Sequence, residues 1–138
     1  MFKNAHIVIP AYQPNLVLFD LISALIKISN DNPNINVKII VVNDGSTTPE
    51  AQDTFFKIAE LFKEVVILNH KKNLGKGTAL KTGFTFIKEN FDGDEWIVTA
   101  DADGQHLSKD IWKLIEAGMS SKKPVIGVRT FGINVPFR

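Results

Sequence analysis

Asp101-Ala102-Asp103-Gly104-Gln105-His106 is the stretch whose residue types and spacing say most about chemistry. Two carboxylates separated by one residue at a strand end point to the same side. Hard oxygen donors of this kind hold Mg²⁺ or Mn²⁺ while phosphate oxygens and water complete the shell. Gln105 adds a neutral oxygen with the same alternation, and His106 can contact a phosphate or the metal. Taken alone, so short a pattern also reads as a solvated acidic turn ahead of a helix. An EF-hand loop fits poorly, because its spacing calls for a third oxygen ligand before the glycine.

Two further loops carry polar groups at similar places. In Asn43-Asp44-Gly45-Ser46-Thr47 the glycine allows a sharp turn, and Asp44 can accept hydrogen bonds from a base N–H or a ribose hydroxyl. The alternative is a turn followed by a helix cap. Asn73-Leu74-Gly75-Lys76-Gly77-Thr78 leads into a helical stretch. Glycines there let backbone N–H groups approach an anion, and Lys76 places charge near the positive end of the helix. A glycine-facilitated turn with a solvated lysine is the competing reading. The loop is not a Walker A sequence, and the dinucleotide fingerprint fails because its third glycine is missing and its place is after the first strand. Arg129, beyond the last apolar run, can grip a phosphate with its fork. Ser46 and Ser108 have no acid–histidine partner at motif spacing, so a serine hydrolase finds no support. His6, Trp96 and Trp112 read as structural, and the Lys71-Lys72 and Lys122-Lys123 pairs as solvated faces.

The elements that must position these loops are punctuated regularly. His6–Ile9, Lys38–Val42, Val65–Leu68, Trp96–Thr99 and Val125–Val128 are short Val/Ile-rich runs without polar alternation, as strands covered on both faces read. Between them, Asn15 caps a helix through about Ser29, with Leu18, Leu21, Ile22, Leu25 and Ile26 on its apolar face. Thr48-Pro49-Glu50 starts a second, running to about Phe62 and burying Phe55, Ile58, Ala59 and Phe62. Lys76–Glu89 is the third, with Leu80, Phe84 and Ile87 in one stripe, and Ser108 caps the fourth through about Met119. The alternation predicts a mostly parallel α/β sheet with helices on its faces. In such sheets ligands bind beyond the carboxyl ends of the strands. Pro10–Pro14, Asn43–Thr47, Asn69–Gly77, Asp101–His106 and Arg129 onward fall there.

Composition narrows the field further. The 138 residues suit a single domain, and 44% hydrophobic with 22% charged content is that of an ordinary globular protein. A net charge of +1 argues against nucleic acid as a partner. The absence of cysteine excludes disulfides, thiolate metal sites and cysteine nucleophiles, and fits a reducing compartment. Pro10 interrupts the early apolar run, so the N-terminus does not read as a signal peptide, and no apolar run reaches the roughly 20 residues that span a bilayer.

Together, IVIPAYQPN, VVNDGSTTPE, NLGKGTALKTGF, VTADADGQH and VIGVRTFG, in this order, resemble the family 2 glycosyltransferases with a GT-A fold. The resemblance is to the branch with dolichyl-phosphate mannosyltransferase and polyprenyl-phosphate glycosyltransferases, and it runs from about His6 to the final residue. It implies a Rossmann-like nucleotide-sugar-binding sheet in which Pro10, Ala11 and Tyr12 line the nucleotide pocket, Asp44 reads the base and the backbone around Val42 lies beside it. Gly75 and Lys76 join that set. Ala100, Asp101, Ala102 and Asp103 are then at the nucleotide sugar, and Asp101, Asp103 and Gln105 hold Mg²⁺ or Mn²⁺. Asp103 and Arg129 act at the reacting centre, the latter on phosphate. Two positions depart from the pattern: Pro14 stands where the branch often has glutamate, and Asn43 where many members have aspartate.

The activity implied is inverting transfer of a sugar from a UDP- or GDP-linked donor to a polyprenyl phosphate. Residues 1–138 are expected to form the nucleotide-sugar-binding domain, truncated before the acceptor region. The implied location is cytoplasmic, at the cytoplasmic face of a membrane reached through that missing part. A non-catalytic sugar-nucleotide-binding module and a family 2 transferase acting on a saccharide hydroxyl are the alternatives. A nucleotidyltransferase is disfavoured, because Pro10–Pro14 is no glycine-rich phosphate loop.

Overall fold

The computed structural model of the chain describes residues 3–91, 96–104, 108–121, 128–130 and 134–136. Within them the order is β1 (Lys3–Ala11), α1 (Leu16–Asp31), β2 (Ile35–Asn43), α2 (Pro49–Leu61), β3 (Val66–Asn69), α3 (Lys76–Asn90), β4 (Trp96–Thr99), α4 (Ser108–Ser121), β5 (Val128–Thr130) and β6 (Asn134–Pro136). The first four strands form one parallel sheet in the order β3-β2-β1-β4. The expected α/β architecture is therefore present, with β1 paired on both sides at its centre.

Register explains the layering. Ile7 pairs with Ile39, Val8 with Ile40 and Ile9 with Val41, so side chains alternate between the two faces in step across the strands. Ile7, Ile9, Ile39 and Val41 join Leu18, Ile22 and Leu25 of α1, Phe55 and Ile58 of α2, and Ile111 and Ile115 of α4 in the larger core. Val8 and Ile40 point the other way and meet Ile87 of α3. Because both faces are covered, β1 reads as a continuous apolar run, and Ile7, Val8 and Ile9 have no exposed surface.

Helix starts follow local chemistry. The Asn15 side chain accepts from the Val17 N–H at 2.9 Å, and the Thr48 hydroxyl accepts from Ala51 N–H at 3.1 Å with Pro49 in the first turn. Helix α3 differs, since its N-cap is Gly75 and supplies no side-chain cap.

Three expectations need correction. Phe84 is 39% exposed, and α3 packs instead through Ala79, Gly83 and Ile87. A Cβ at Gly83 would lie 2.6 Å from Val8 Cγ1, so the missing side chain lets α3 sit directly on β1 and turns Phe84 away. On α2, Ala59 is exposed and Phe62, though packed against the core, is only partly buried, the buried positions being Ala51, Thr54, Phe55 and Ile58. Finally, the fifth strand is Val128–Thr130, most of the expected Val125–Val128 lying outside the described residues. It pairs antiparallel with β6 rather than extending the described parallel sheet. A three-residue connection between β5 and β6 is too short for a parallel crossover.

Candidate functional site

Strand order fixes where a ligand can enter. From β1 the chain steps outward to β2 and β3, and α3 then returns it to β4 on the other side of β1. The loops leaving β1 and β4 therefore diverge, and a crevice opens at their carboxyl ends. A cavity of about 550 Å³ lies there. Pro10, Ala11, Tyr12, Asp44, Gly75, Lys76, Asp101, Ala102 and Asp103 all line it. Four separate stretches of sequence thus meet at one place.

The remaining expected residues lie elsewhere. Val42 and Ala100 are buried outside the lining, Val42 on the α3 side. Gln105 is outside the described residues, as is His106. The backbone of Arg129 lies in β5, opposite Val135, and its side chain is not among the described ones.

Asp44 is 2% exposed, and its carboxylate is fully engaged. Oδ1 accepts from His70 Nδ1–H at 2.8 Å and Leu74 N–H at 2.9 Å. Oδ2 accepts from Gly75 N–H at 2.9 Å and the Asn73 amide at 3.2 Å. These four contacts use about all the lone-pair sites a carboxylate offers. Burial alone raises the Asp44 pKa, but the His70 hydrogen bond and the Leu74 and Gly75 N–H groups outweigh it and hold it below the ordinary carboxylate value. In this arrangement Asp44 ties the end of β2 to the loop before α3. The Asp44 N–H also donates to the Ala11 carbonyl at 2.9 Å, joining the grip to the end of β1.

Sequence reasoning assigned no role to His70 or Gln13. His70 bridges Asp44 and α3, its Nε2 being 2.7 Å from Thr82 Oγ1. The available signal was position: His70 follows β3 just as Asp44 follows β2, and its N–H donates to the Asn43 carbonyl at 2.8 Å. Gln13 adopts a φ of 50°, uncommon for a residue with a side chain. Its Oε1 accepts from Thr47 N–H at 2.9 Å and Thr48 N–H at 3.0 Å. Its own N–H donates to Ser46 Oγ at 2.9 Å. Gln13 thereby fastens the loop after β1 to the start of α2, supplying polar contacts that Pro14 cannot. Asn43, for its part, accepts from Ser46 N–H at 3.0 Å in a local turn.

The other side of the crevice is more open. Asp103 is exposed, and Asp101 Oδ1 lies 2.6 Å from Lys76 Nζ. Among the described residues no group of three or more His, Asp or Glu gathers as a metal cage. Two carboxylates lining one cavity nevertheless fit Mg²⁺ or Mn²⁺, which take one or two protein carboxylates and fill the shell with phosphate and water. Opposite them α3 begins without a side-chain cap, a favourable place for anionic groups. Among the described residues no helix is long and apolar enough to cross a membrane.

Comparison with known proteins agrees with this architecture. A UDP-N-acetylglucosamine–dolichyl-phosphate N-acetylglucosaminyltransferase of Methanococcus voltae is 31% identical over 92% of this chain and 52% of its own length. A dolichyl-phosphate beta-glucosyltransferase of Saccharomyces cerevisiae is 30% identical over 80% of this chain and 33% of its own. The chain thus spans between a third and about half of these relatives. A mannosyltransferase from Pyrobaculum calidifontis, solved with GDP-Man and Mn²⁺, superposes with a TM-score of 0.58 at 17% identity, covering 75% of this chain and 28% of that one. That likeness concerns the fold. The sequence profile of glycosyl transferase family 2 matches residues 6–137, and the chain belongs to that family.

Proposed function

We propose that this chain is the nucleotide-sugar-binding part of a glycosyltransferase that moves a sugar, with inversion, from a nucleoside diphosphate to a polyprenyl phosphate. The observation that carries the reading is the convergence of Asp101, Asp103, Lys76 and the Pro10–Tyr12 strand end on one cavity at the β1/β4 switch point. The two dolichyl-phosphate relatives support the acceptor class, and the neighbour holding GDP-Man and Mn²⁺ supports the donor class and a divalent ion.

In this reading Pro10, Ala11 and Tyr12 flank the nucleoside, the half-exposed Tyr12 ring offering a surface for the base. Asp44 shapes the pocket chiefly through the 73–75 loop, and a contact to the base would share lone pairs already engaged. Asp101 and Asp103 would hold a divalent ion with Gln105, which supplies Lewis-acid stabilisation of charge on the departing diphosphate. Lys76 and the start of α3 face the same phosphates. Arg129 is assigned to phosphate at the reacting centre. A phosphate acceptor is already anionic at neutral pH, so these residues need not include a strong general base. We place the whole protein at the cytoplasmic face of a membrane, where a lipid phosphate is met.

Titration with UDP and GDP, with and without Mn²⁺, tests the reading. Binding should be metal-assisted, and Asp103→Ala should abolish the metal-dependent part. An unchanged metal response in that variant rejects Asp103 as a ligand, and no binding of either nucleotide at about millimolar concentration, weaker than ordinary substrate affinities, rejects the site.

A further inference from the structure

Lys76 occupies an unusual place in the cavity. It is the only lysine or arginine among the described lining residues, which include Asp44, Asp101 and Asp103. Its ammonium pairs at 2.6 Å with Asp101, a carboxylate assigned above to the divalent ion. The backbone beneath it is fixed, because the preceding Gly75 N–H is held by buried Asp44 at 2.9 Å. The side chain itself is 59% exposed, so only the flexible arm has to move.

Those facts set two ligands in competition for two partners. An ammonium and a divalent cation cannot both take the same Asp101 oxygen at contact distance. A partly exposed single ion pair is weak, whereas a diphosphate offers several anionic oxygens to the three rotatable donors of a lysine. Resting on the nucleotide-sugar reading above, we propose that Lys76 is a place-holder cation: it occupies Asp101 in the ligand-free chain and transfers to the diphosphate when the nucleotide binds, opening Asp101 to the metal. Nucleotide and metal are thereby coupled through one side chain. By linkage the coupling is reciprocal, each ligand raising affinity for the other by the same factor.

The test is Mn²⁺ titration of the chain and of Lys76→Met, followed by the electron paramagnetic resonance of free Mn²⁺, alone and with saturating GDP or UDP. In the wild type either productive nucleotide should tighten Mn²⁺ by about tenfold or more. Lys76→Met should bind Mn²⁺ alone about two- to fivefold tighter than wild type, the size of an exposed ion pair removed. With nucleotide present that gain should largely vanish, so the coupling factor falls. Two results overturn the place-holder: no gain without nucleotide, or an equal gain with and without it, which is what simple charge repulsion gives. Absence of Mn²⁺ binding by the wild type even with both nucleotides tried rejects the underlying site, and the inference with it.

Discussion

Asp44 and Asp101 follow strands that flank the same central strand, β2 on one side of β1 and β4 on the other, and both carboxylates line one cavity. Their surroundings are opposite. Asp44 is buried and receives hydrogen bonds from His70, Asn73, Leu74 and Gly75. Asp101 is 22% exposed and meets the movable ammonium of Lys76. The same residue type is thus locked into the wall on one side and left partly open beside a flexible cation on the other. Burial and the number of rigid donors separate the two roles, and neither can be read from the motif alone.

The largest expected break in that contrast comes from Asp44→Ala. It strands a buried imidazole, two N–H groups and an amide without their acceptor, so a loss of about 3–5 kcal/mol in unfolding free energy is expected. Asp101→Ala removes the pair with the exposed Lys76 ammonium and strands no buried imidazole, so it should cost less than Asp44→Ala. Denaturant unfolding of both variants checks this, and equal losses would erase the distinction.

Gly45→Ala probes the same wall from the backbone. Gly45 has a φ of 73°, and a Cβ there would lie 2.2 Å from the Lys72 carbonyl carbon. Strain of about 1–3 kcal/mol is expected, together with displacement of the 72–75 loop. Amide chemical shifts of Leu74 and Gly75 report that displacement; if they stay put while stability is unchanged, the loop is not seated where the hydrogen bonds put it.

The smallest effect is in pH. The folded Asp44 pKa is depressed, so its contribution is fully present above the unfolded value and is lost as pH falls through the folded one. The stability difference between wild type and Asp44→Asn should therefore shrink on acidification from about pH 5 downward. A wild-type advantage that persisted to the lowest pH at which the protein stays folded would contradict the assignment.

Much of this architecture was legible in the residues. Thr48-Pro49 marked the start of α2, and the Val/Ile runs marked the four sheet strands, although β1 and β2 extend further through Lys3, Asn4 and Asn36, whose polar side chains gave no apolar signal. The crevice loops were legible because a parallel sheet sends its carboxyl ends to one side. What escaped depended on partners distant in sequence. His70 gains its role from a carboxylate 26 positions away, and Gln13 from hydroxyls and N–H groups more than 30 positions away. Phe84 looked like core at helical spacing, yet Gly83 decides which face of α3 meets the sheet. The turn chemistry of Asp44 and its binding chemistry begin from the same residues, so only the donors around it separate them.

The central position of β1 has a consequence for the timescales on which the site can open. Ala5 through Val8 are paired to β2 on one side and to β4 on the other, under apolar cover from both layers. Amides so placed exchange with solvent only when the whole molecule opens, whereas loops free of such pairing open locally. The Tyr12–Asn15 segment follows this central strand and the Asp101–Gly104 segment follows its neighbour β4, and both lie outside the doubly paired stretch. Local opening at the rim therefore need not loosen the central strand of the sheet.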